Sequence, residues 1–449
     1  MRSIVPRLHT LVLKIGGGPL VDSERVLNQR RIDNIVELTD GLRPFVDHLL
    51  VVVGGAGAHF YIELARSYGA REPECDEIGV MATDLVCRVL HVALSRRTHD
   101  LYPRIAMSLT EVEEAMSSYG VIVVGPLQHG ATSSDSVAAI TAEQLCAEAL
   151  VIIKAWRLDD RVPAEGSVGN LRQVRLEDVI DVVAAKIERA GRRPILDMAC
   201  LRVLQRARFR TFVVAFDDAK ALLRLPDPSA FDGIEIVSNA QREYEGMARR
   251  LAETVPTLLE RARASLGGLR DVVHDIGHVR RCVSNAMELC TEYPYSRRAA
   301  VELAAWWHDV GRLDGSAGHE ARGAQILATE LRQRGVGEDM VSDLIDAIAF
   351  HKWSMLPATL EGKIIRDADK LDAVCLERWI VWDKAVCDGA NVAESELEAV
   401  CRVAQDLDRI IALKALLPVL RERRAELSDG VRLLRSSVVS KYARLAGLR

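Results

Sequence analysis

Two short apolar segments near the start of the chain each run directly into a glycine turn. Residues 11–15 lead into the first turn and residues 49–53 into the second, and a helical pattern follows each. Strand, glycine turn and helix, repeated in that order, predict an α/β sandwich with a mainly parallel sheet. In such sheets the turns meet at the carboxyl ends of the strands, where ligands bind.

The glycines of these turns present backbone amides that can hold phosphate oxygens. The candidates are Gly16, Gly17, Gly54, Gly55 and Gly57. Lys14, at the end of the first strand, adds a mobile positive charge beside them. Tight turns also use glycine, so this pattern alone leaves a purely structural role open.

A third strand, residues 121–124, enters a loop of glycine and small hydroxyl residues that opens a helix. Its phosphate-binding candidates are Thr132, Ser133 and Ser134, and Asp135 follows them at the helix N-terminus. A fourth strand, residues 151–153, ends on Lys154. Hydroxyl groups and amides at a helix N-terminus favour an anion, although Asp135 alone is also a plain helix cap.

Length and composition set the class of protein. A chain of 449 residues exceeds one ordinary core, so we expect two or three domains. A net charge of −5, with both signs interspersed, favours neither nucleic acid nor an anionic membrane as a partner. No apolar run approaches the roughly 20 residues of a membrane span. Nine cysteines without Cys-x-x-Cys spacing indicate reduced thiols and a cytoplasmic protein.

The second half of the chain is organised around an adjacent His308-Asp309 pair at the end of an apolar helical run. His278 precedes this pair, Asp369 follows it, and His319 and His351 lie between the pair and Asp369. An imidazole and a carboxylate at the end of one rigid element provide half of a divalent metal site.

The ordered motifs across about residues 8–238 resemble the amino-acid kinase family, and within it the uridylate kinases. The resemblance covers Lys14 with its glycine run, the second glycine turn and residues 76–83, 132–136 and 196–199. It implies phosphoryl transfer from ATP with Mg, in which Lys14 and Lys154 neutralise the transferring group and Asp135 organises both lysines. It also implies that the glycine and hydroxyl loops hold the acceptor phosphate and adds Asp76 and Thr83 to the phosphate- or nucleotide-binding residues.

Two departures from that family pattern leave the substrate open. His59 and Phe60 stand where uridylate kinases usually carry an arginine, which puts UMP in question as the acceptor. Residues 157–162 differ from the usual nucleoside-binding segment, which puts ordinary ATP binding in question. The alternatives are another phosphomonoester acceptor, storage of an oxyanion, or a role as a nucleotide sensor.

Residues from about 266 to 385 resemble the HD domain, an all-helical superfamily of metal-dependent phosphohydrolases. The resemblance implies that His278, His308, Asp309 and Asp369 are metal ligands and that Asp309 also serves catalysis. His319 and His351 match the additional histidines of subfamilies that hold two metals, although the sequence favours one firmly held metal. Mn, Fe, Co or Ni suits this donor set, and Lys370 is a candidate for contact with the substrate phosphate.

We therefore expect a two-domain enzyme of α/β and all-α parts. The predicted ranges are a kinase-like domain at 1–238, a helical linker at 239–265, an HD domain at 266–385 and a helical extension at 386–449. The predicted substrates are nucleotides or small phosphate esters, and the resemblance implies a homo-oligomer formed through the kinase-like domain. The alternative is an HD phosphohydrolase regulated by a degenerate nucleotide- or oxyanion-binding domain.

Overall fold

The computed structural model describes residues 6–447 apart from 25, 128–132, 163, 165, 169–170, 188–194, 228–230, 232 and 269–273. The chain divides into two units, Val5–Glu243 and Tyr244–Arg449. The first unit contains the sheet, and the second is helical.

The first unit is built on an eight-stranded sheet with the order β3-β2-β1-β4-β7-β8-β6-β5. The strands are β1 (Leu8–Ile15), β2 (Val46–Val53), β3 (Val121–Val124), β4 (Ala149–Lys154), β5 (Gly166–Val168), β6 (Leu171–Arg175), β7 (Arg210–Ala215) and β8 (Ile234–Val237). The five strands from β3 to β7 in this order are all parallel. All eight residues of both β1 and β2 are buried, and most of them are apolar, as expected for strands covered on both faces.

The far side of the sheet is mixed. β8 is antiparallel to β7 and parallel to β6, and β5 is antiparallel to β6. The sequence did not predict β5 and β6, because they are short and their residues are largely polar. The expected α/β sandwich with a mainly parallel sheet is confirmed.

Seven helices accompany this sheet within the described residues. They are α1 (Gln29–Leu42), α2 (Ala58–Ser67), α3 (Glu72–Ser95), α4 (Leu109–Met116), α5 (Ser134–Gln144), α6 (Leu176–Ile187) and α7 (Met198–Arg206). Both glycine turns and Lys154 follow or end parallel strands, so they lie at the carboxyl edge of the sheet.

The helix α3 has an unusual surface. Among the described helices it alone is long and apolar enough to cross a membrane by length and composition, and 22% of its most apolar window is buried. The sequence shows no uninterrupted apolar run of membrane-spanning length here, because Asp84 and Arg88 divide it. These two residues form an ion pair at 2.8 Å.

The second unit consists of helices around one apolar core. The helices are α8 (Asn239–Leu266), which begins within the first unit, α9 (Ile276–Glu292), α10 (Arg298–Trp307), α11 (His319–Gln333), α12 (Glu338–Ala349), α13 (Leu360–Leu371), α14 (Leu376–Cys387), α15 (Glu394–Ile410), α16 (Leu416–Gly430) and α17 (Ser437–Gly447). An HD region that is all-helical agrees with the expected fold.

That core includes both ends of the unit. Leu251 and Leu258 of α8, together with Leu407 of α15 and Tyr442 of α17, belong to the same buried cluster. The segment expected to link the domains therefore packs into the second unit over much of its length. The helices after residue 385 likewise share the core that supports the earlier helices.

Candidate functional sites

The two glycine turns of the first unit pack directly against each other. The amide of Gly54 donates to the carbonyl of Ile15 at 2.8 Å. A Cβ atom on Gly17 would lie 2.8 Å from the carbonyl oxygen of Gly55, and one on Gly54 would lie 2.8 Å from the amide nitrogen of Gly17. No side chain fits where these backbones meet, and the surface that results consists of backbone groups suited to an oxyanion.

The other two glycines of the predicted set, Gly16 and Gly57, hold the segments next to the turns in position. The amide of Gly16 donates to the carbonyl of Ile153 at 2.9 Å, which ties the first turn to β4. Gly57 has a φ of 78°, in the left-handed region, and caps α2.

Lys14 and Lys154 reach the same carboxylate from adjacent strands. Lys154 Nζ lies 2.8 Å from Asp135 Oδ2, and Lys14 Nζ pairs with Asp135 Oδ1. The exposed fractions of the three side chains lie between 4% and 12%. The predicted trio is therefore assembled at the carboxyl edge of the sheet, and we refer to it as the lysine pair site.

The charges of this site depend on one another. Burial would raise the pKa of Asp135, but Lys14 and Lys154 outweigh burial and lower that pKa to about 2. Burial also lowers the pKa of Lys14, an effect that Asp135 opposes. The ionised carboxylate keeps the two lysines together, where positive charge can face a transferring phosphoryl group.

Asp197 connects the N-termini of α5 and α7, a role that the sequence did not predict. Its carboxylate accepts from Ser136 Oγ at 2.6 Å and from Ser133 Oγ, and it caps α7 by accepting from the amide of Ala199 at 2.8 Å. Ser133 in turn caps α5. The available signal was an aspartate immediately before a helical segment, but its contact with Ser133, 64 residues away, is visible only in the fold.

A cavity of about 420 Å³ lies beside these elements. Its lining includes five residues predicted to bind phosphate or nucleotide: Gly55, Asp76, Thr83, Ser133 and Ser134. Asp197 also lines it. Thr132, predicted for the same set, lies outside the described residues.

A second cavity, of about 400 Å³, lies at the end of β7. Four basic side chains line it: Arg157, Arg172, Lys220 and Arg224. Arg157 Nη1 donates to Asp218 at 2.8 Å within this lining. Arg157 and Leu158, the first two residues of the segment that departs from the family pattern, line this cavity, as do the acidic Asp217 and Asp218.

In the second unit, six buried side chains from five segments form one ligand cluster. His278 lies in the first turn of α9, His308 and Asp309 follow α10, His319 begins α11, His351 follows α12 and Asp369 lies in α13. Each is at most 8% exposed. All six metal-ligand candidates from the sequence therefore lie in one cluster.

The Nδ1 atoms of the four histidines all face hydrogen-bond acceptors. His308, His319 and His351 each contact the carbonyl oxygen three residues earlier, at 2.8, 2.9 and 2.5 Å. His278 Nδ1 lies 2.7 Å from Asp372 Oδ2. These acceptors place the proton on Nδ1 and leave Nε2 of each ring available as a ligand.

The Nε2 atoms converge on two carboxylates. His278 Nε2 lies 3.3 Å from Asp369 Oδ1, and both His278 Nε2 and His308 Nε2 lie 3.6 Å from Asp309 Oδ2. The other oxygen of Asp309, Oδ1, lies 3.3 Å from His319 Nε2. Asp309 thus faces His278 and His308 with one oxygen and His319 with the other.

The donor set fits divalent cations. Three of its buried atoms, His308 Nε2, Asp309 Oδ2 and His319 Nε2, have no hydrogen-bond partner among the described residues. Leaving such atoms unsatisfied is costly unless a cation binds them. The ligand atoms of Asp309, His319 and His351 lie within 4.8 Å of one another, and so do those of His278, His308 and Asp369.

The pKa shifts of two histidines favour metal binding. Burial lowers the pKa of His308, and burial together with Lys370 lowers the pKa of His351 to about 3. Both rings are therefore neutral near pH 7, the form in which imidazole binds a metal.

His278 and the carboxylates behave differently. Burial opposes the charged form of His278, but Cys282 and the carboxylates of Asp369 and Asp372 raise its pKa well above the usual value. Against the effect of burial, neighbouring histidines and basic side chains hold the pKa values of Asp309 and Asp369 well below their usual range. A cation at His278 Nε2 would therefore displace a proton.

Basic residues and Asp372 surround the ligand cluster. Asp372 accepts from Arg281 at 2.7 Å and from Arg378 at 3.0 Å, which fixes the carboxylate that orients His278. Arg312 donates to Asp309 Oδ1 at 2.6 Å, and Lys370 pairs with Asp369. Of these residues the sequence singled out only Lys370. The others act through contacts that the motif itself does not specify.

Comparison with known families gives a result for each unit. Residues 9–215 match the amino acid kinase family, and residues 275–374 match the HD domain. The matched ranges contain the lysine pair site and the ligand cluster, respectively.

Individual relatives match the first unit. Uridylate kinase from Methanoculleus marisnigri is 30% identical over 219 residues, which are 48% of this chain and 91% of that protein. Uridylate kinase from Methanosarcina mazei is 32% identical over 211 residues, 45% of this chain and 85% of that protein. The crystal structure of uridylate kinase from Archaeoglobus fulgidus aligns at 21% identity and a TM-score of 0.41, covering 51% of this chain and 99% of that one.

We expect Lys14→Ala to reduce phosphoryl transfer far more than nucleotide binding. The lost charge acts on the transferring group, and losing one such contact typically costs about 100- to 1,000-fold in kcat. Calorimetry and steady-state kinetics on the same preparation measure the two effects. Arg206→Ala, which removes an exposed ion pair with Glu143, is the control and should change neither. Equal losses of binding and turnover would contradict this role.

We expect about two divalent metal ions per chain. The ligand cluster contains two groups of metal-binding side chains that meet at Asp309, so His319→Ala or His351→Ala should leave about one ion. Elemental analysis after dialysis measures the content, and His99→Ala, which changes an exposed histidine of the first unit, should leave it unchanged. One ion per chain in the unmodified protein would instead support the single-metal expectation from the sequence.

Proposed function

We propose that this chain, which belongs to the amino acid kinase family through residues 9–215 and carries an HD domain at residues 275–374, combines a phosphotransferase with a metal-dependent phosphohydrolase. The observation that carries the hydrolase is the convergence of four imidazoles on two buried carboxylates. The substrates of both activities are nucleotides or small phosphate esters.

In the first unit the lysine pair site performs the transfer. An oxygen of the acceptor phosphate attacks the terminal phosphorus of ATP, supplied with Mg, as the bond to the bridging oxygen breaks and ADP leaves. Lys14 and Lys154 offset the charge on the transferring group, and Asp135 holds both ammonium groups in place. The glycine turns and the hydroxyls of Ser133 and Ser134 hold the acceptor.

In the second unit His278, His308, Asp309 and Asp369 would hold one cation, and Asp309, His319 and His351 a second. When bound, such cations supply Lewis-acid activation of a phosphoryl group and of water. The imidazole and carboxylate donors suit Mn, Fe, Co or Ni. Lys370 offers its ammonium group to the substrate phosphate. The carbonyl contacts of His308, His319 and His351, and the Asp372 contact of His278, keep each ring in its ligand orientation.

A second candidate function gives the first unit a regulatory role. The departure at residues 157–162 and the Arg157–Asp218 pair change the wall of the cavity at the end of β7. In this alternative the first unit binds a nucleotide or an oxyanion without turnover, and occupancy controls the hydrolase.

The phosphotransferase and the regulatory function of the first unit predict different fates of ATP in a variant that lacks hydrolase activity. Phosphorus NMR should show transfer from ATP to UMP or another phosphomonoester in the Asp309→Ala chain, and none in the Lys14→Ala chain. Hydrolysis of phosphate esters should be lost in Asp309→Ala and retained in Lys14→Ala, because each variant disables only one site. Absence of transfer to any acceptor would favour the regulatory function. Undiminished hydrolysis in His308→Ala, Asp309→Ala and Asp369→Ala would end the hydrolase proposal.

We place the chain in the cytoplasm, where ATP is available and thiols are reduced. All nine cysteines are free, and six of them are buried. The fold therefore contains no disulfide bond among these nine cysteines.

We infer further that the first unit forms a homodimer through α2 and α3. Seven of the twenty exposed large apolar side chains in the described residues lie on these two helices, and an eighth, Tyr68, directly follows α2. The eight are Phe60, Tyr61, Leu64, Tyr68, Met81, Leu85, Val89 and Val92. The four on α3 recur every three or four residues and so form one stripe along the helix.

The distribution of charge along α3 favours a second copy of this chain as the partner that covers the apolar stripe. Glu72 and Glu74 lie exposed in its first turn, and Arg96 and Arg97 lie exposed just beyond its end. An antiparallel pair of such helices would place acidic beside basic ends over a length of about 36 Å.

We expect Leu85→Asp to convert the dimer into a monomer, because the substitution places a charge in the middle of the apolar stripe. Light scattering after size exclusion measures the mass, and circular dichroism checks the fold. Leu433→Asp, which changes an equally exposed residue of the second unit, should leave the mass unchanged. A monomeric unmodified chain, or a dimer that survives Leu85→Asp, would contradict this interface.

A further inference from the structure

A buried thiol lies within reach of the ligand cluster of the second unit. Cys282 is on α9, one helical turn after His278, and it is 2% exposed. Its Sγ lies 3.6 Å from His278 Nε2 and 4.0 Å from Asp369 Oδ1. The thiol of Cys282 therefore lies next to two candidate metal ligands, His278 and Asp369.

These separations suit ligands of one cation. With bonds of about 2.3 Å to sulfur and about 2.0–2.1 Å to nitrogen and oxygen, tetrahedral coordination places nitrogen and sulfur roughly 3.5 Å apart. The corresponding nitrogen–oxygen separation is roughly 3.4 Å. The observed values are 3.6 Å from His278 Nε2 to Cys282 Sγ and 3.3 Å from His278 Nε2 to Asp369 Oδ1.

The other contacts of His278 leave Nε2 as its ligand atom. Nδ1 is engaged by Asp372 at 2.7 Å. Cys282 Sγ lies 3.6 Å from both Nδ1 and Nε2, which places it beside the ring, and rotation about its Cα–Cβ bond is needed to bring it to a cation on Nε2. A second atom aimed into the same space is His308 Nε2, which is buried and has no hydrogen-bond partner among the described residues. The ligand atoms of His278, Cys282, His308 and Asp369 all lie within 4.8 Å of one another.

We propose that Cys282 is a further ligand of the cation held by His278, His308, Asp309 and Asp369, and that its sulfur makes this position selective for thiophilic metals such as Zn, Co or Fe over Mn. The inference rests on the metal site of the proposed hydrolase. On binding, the thiol loses its proton to solvent and the sulfur donates an electron pair to the cation, with no change in oxidation state. The donor set becomes two nitrogens, two oxygens and one sulfur, which is softer than imidazole and carboxylate alone.

The test is the absorption spectrum of the full-length chain after its metal is removed and Co²⁺ is added. A sulfur ligand produces a charge-transfer band in the near ultraviolet, separate from the visible bands of Co²⁺ itself. The unmodified chain should show both. Cys282→Ala should lose the charge-transfer band and retain visible absorption, because the nitrogen and oxygen ligands remain. Cys282→Ser, which keeps the size of the side chain, should do the same.

Cys290→Ala is the matched control, since Cys290 is a buried cysteine two turns further along the same helix. It should retain the charge-transfer band. In a competition experiment, Cys282→Ala should lower the affinity for Zn²⁺ relative to that for Mn²⁺. We expect a decrease of at least roughly 10- to 100-fold, which is the loss of metal affinity that removal of an outer-shell partner typically causes.

Three outcomes overturn the inference. Visible bands without a charge-transfer band in the unmodified chain would show that the thiol only packs against His278, and a band that persists in Cys282→Ala would assign it to another cysteine. Absence of any Co²⁺ binding would overturn the metal site as well. A charge-transfer band in a chain without hydrolase activity would instead support the ligand and count against the proposed function alone.

Discussion

Buried negative charge is the constraint on which the second unit depends. Asp309, Asp369 and Asp372 all lie among apolar helices, where an unpaired carboxylate would cost several kcal/mol. Their pKa values nevertheless remain below the usual range, because each is surrounded by imidazole, guanidinium or ammonium groups. The helices bring these groups together from distant parts of the chain, so the ligand cluster and the packing of the unit are specified by the same contacts.

The first unit meets a related constraint with a different kind of counter-charge. Asp135 is balanced by Lys14 and Lys154, which are permanent parts of the chain. The ligand cluster retains buried atoms without a hydrogen-bond partner among the described residues, and an exchangeable cation is the counter-charge that we propose for them. Fixed ammonium groups suit a phosphoryl group that arrives and leaves with its own charge, whereas an exchangeable cation suits the activation of water. In the function that we propose, the two units thus bind phosphate with different kinds of positive charge.

The sequence identified the parts of both sites that lie in local patterns. A strand entering glycines predicted the turns and Lys14, and the His308-Asp309 pair with its distant partners predicted all six residues of the ligand cluster. Asp197, Asp372 and Arg312 were not predicted, because each acts through a contact that depends on how separate elements pack. The strands β5 and β6 were missed for a related reason. Their residues are partly exposed and polar, so their hydrophobic pattern is weak, and their place in the sheet depends on pairing with β8.

Asp367, two residues before the candidate ligand Asp369, connects the ligand cluster to the last helices of the chain. It accepts from the amides of Ala412 and Leu413, at 2.8 Å each, and burial raises its pKa to about 6. Because these contacts join α13 to the chain that follows α15, we expect the two segments to open together in local unfolding. Proteolytic cleavage near residue 412 would therefore weaken cation binding without removing a single ligand.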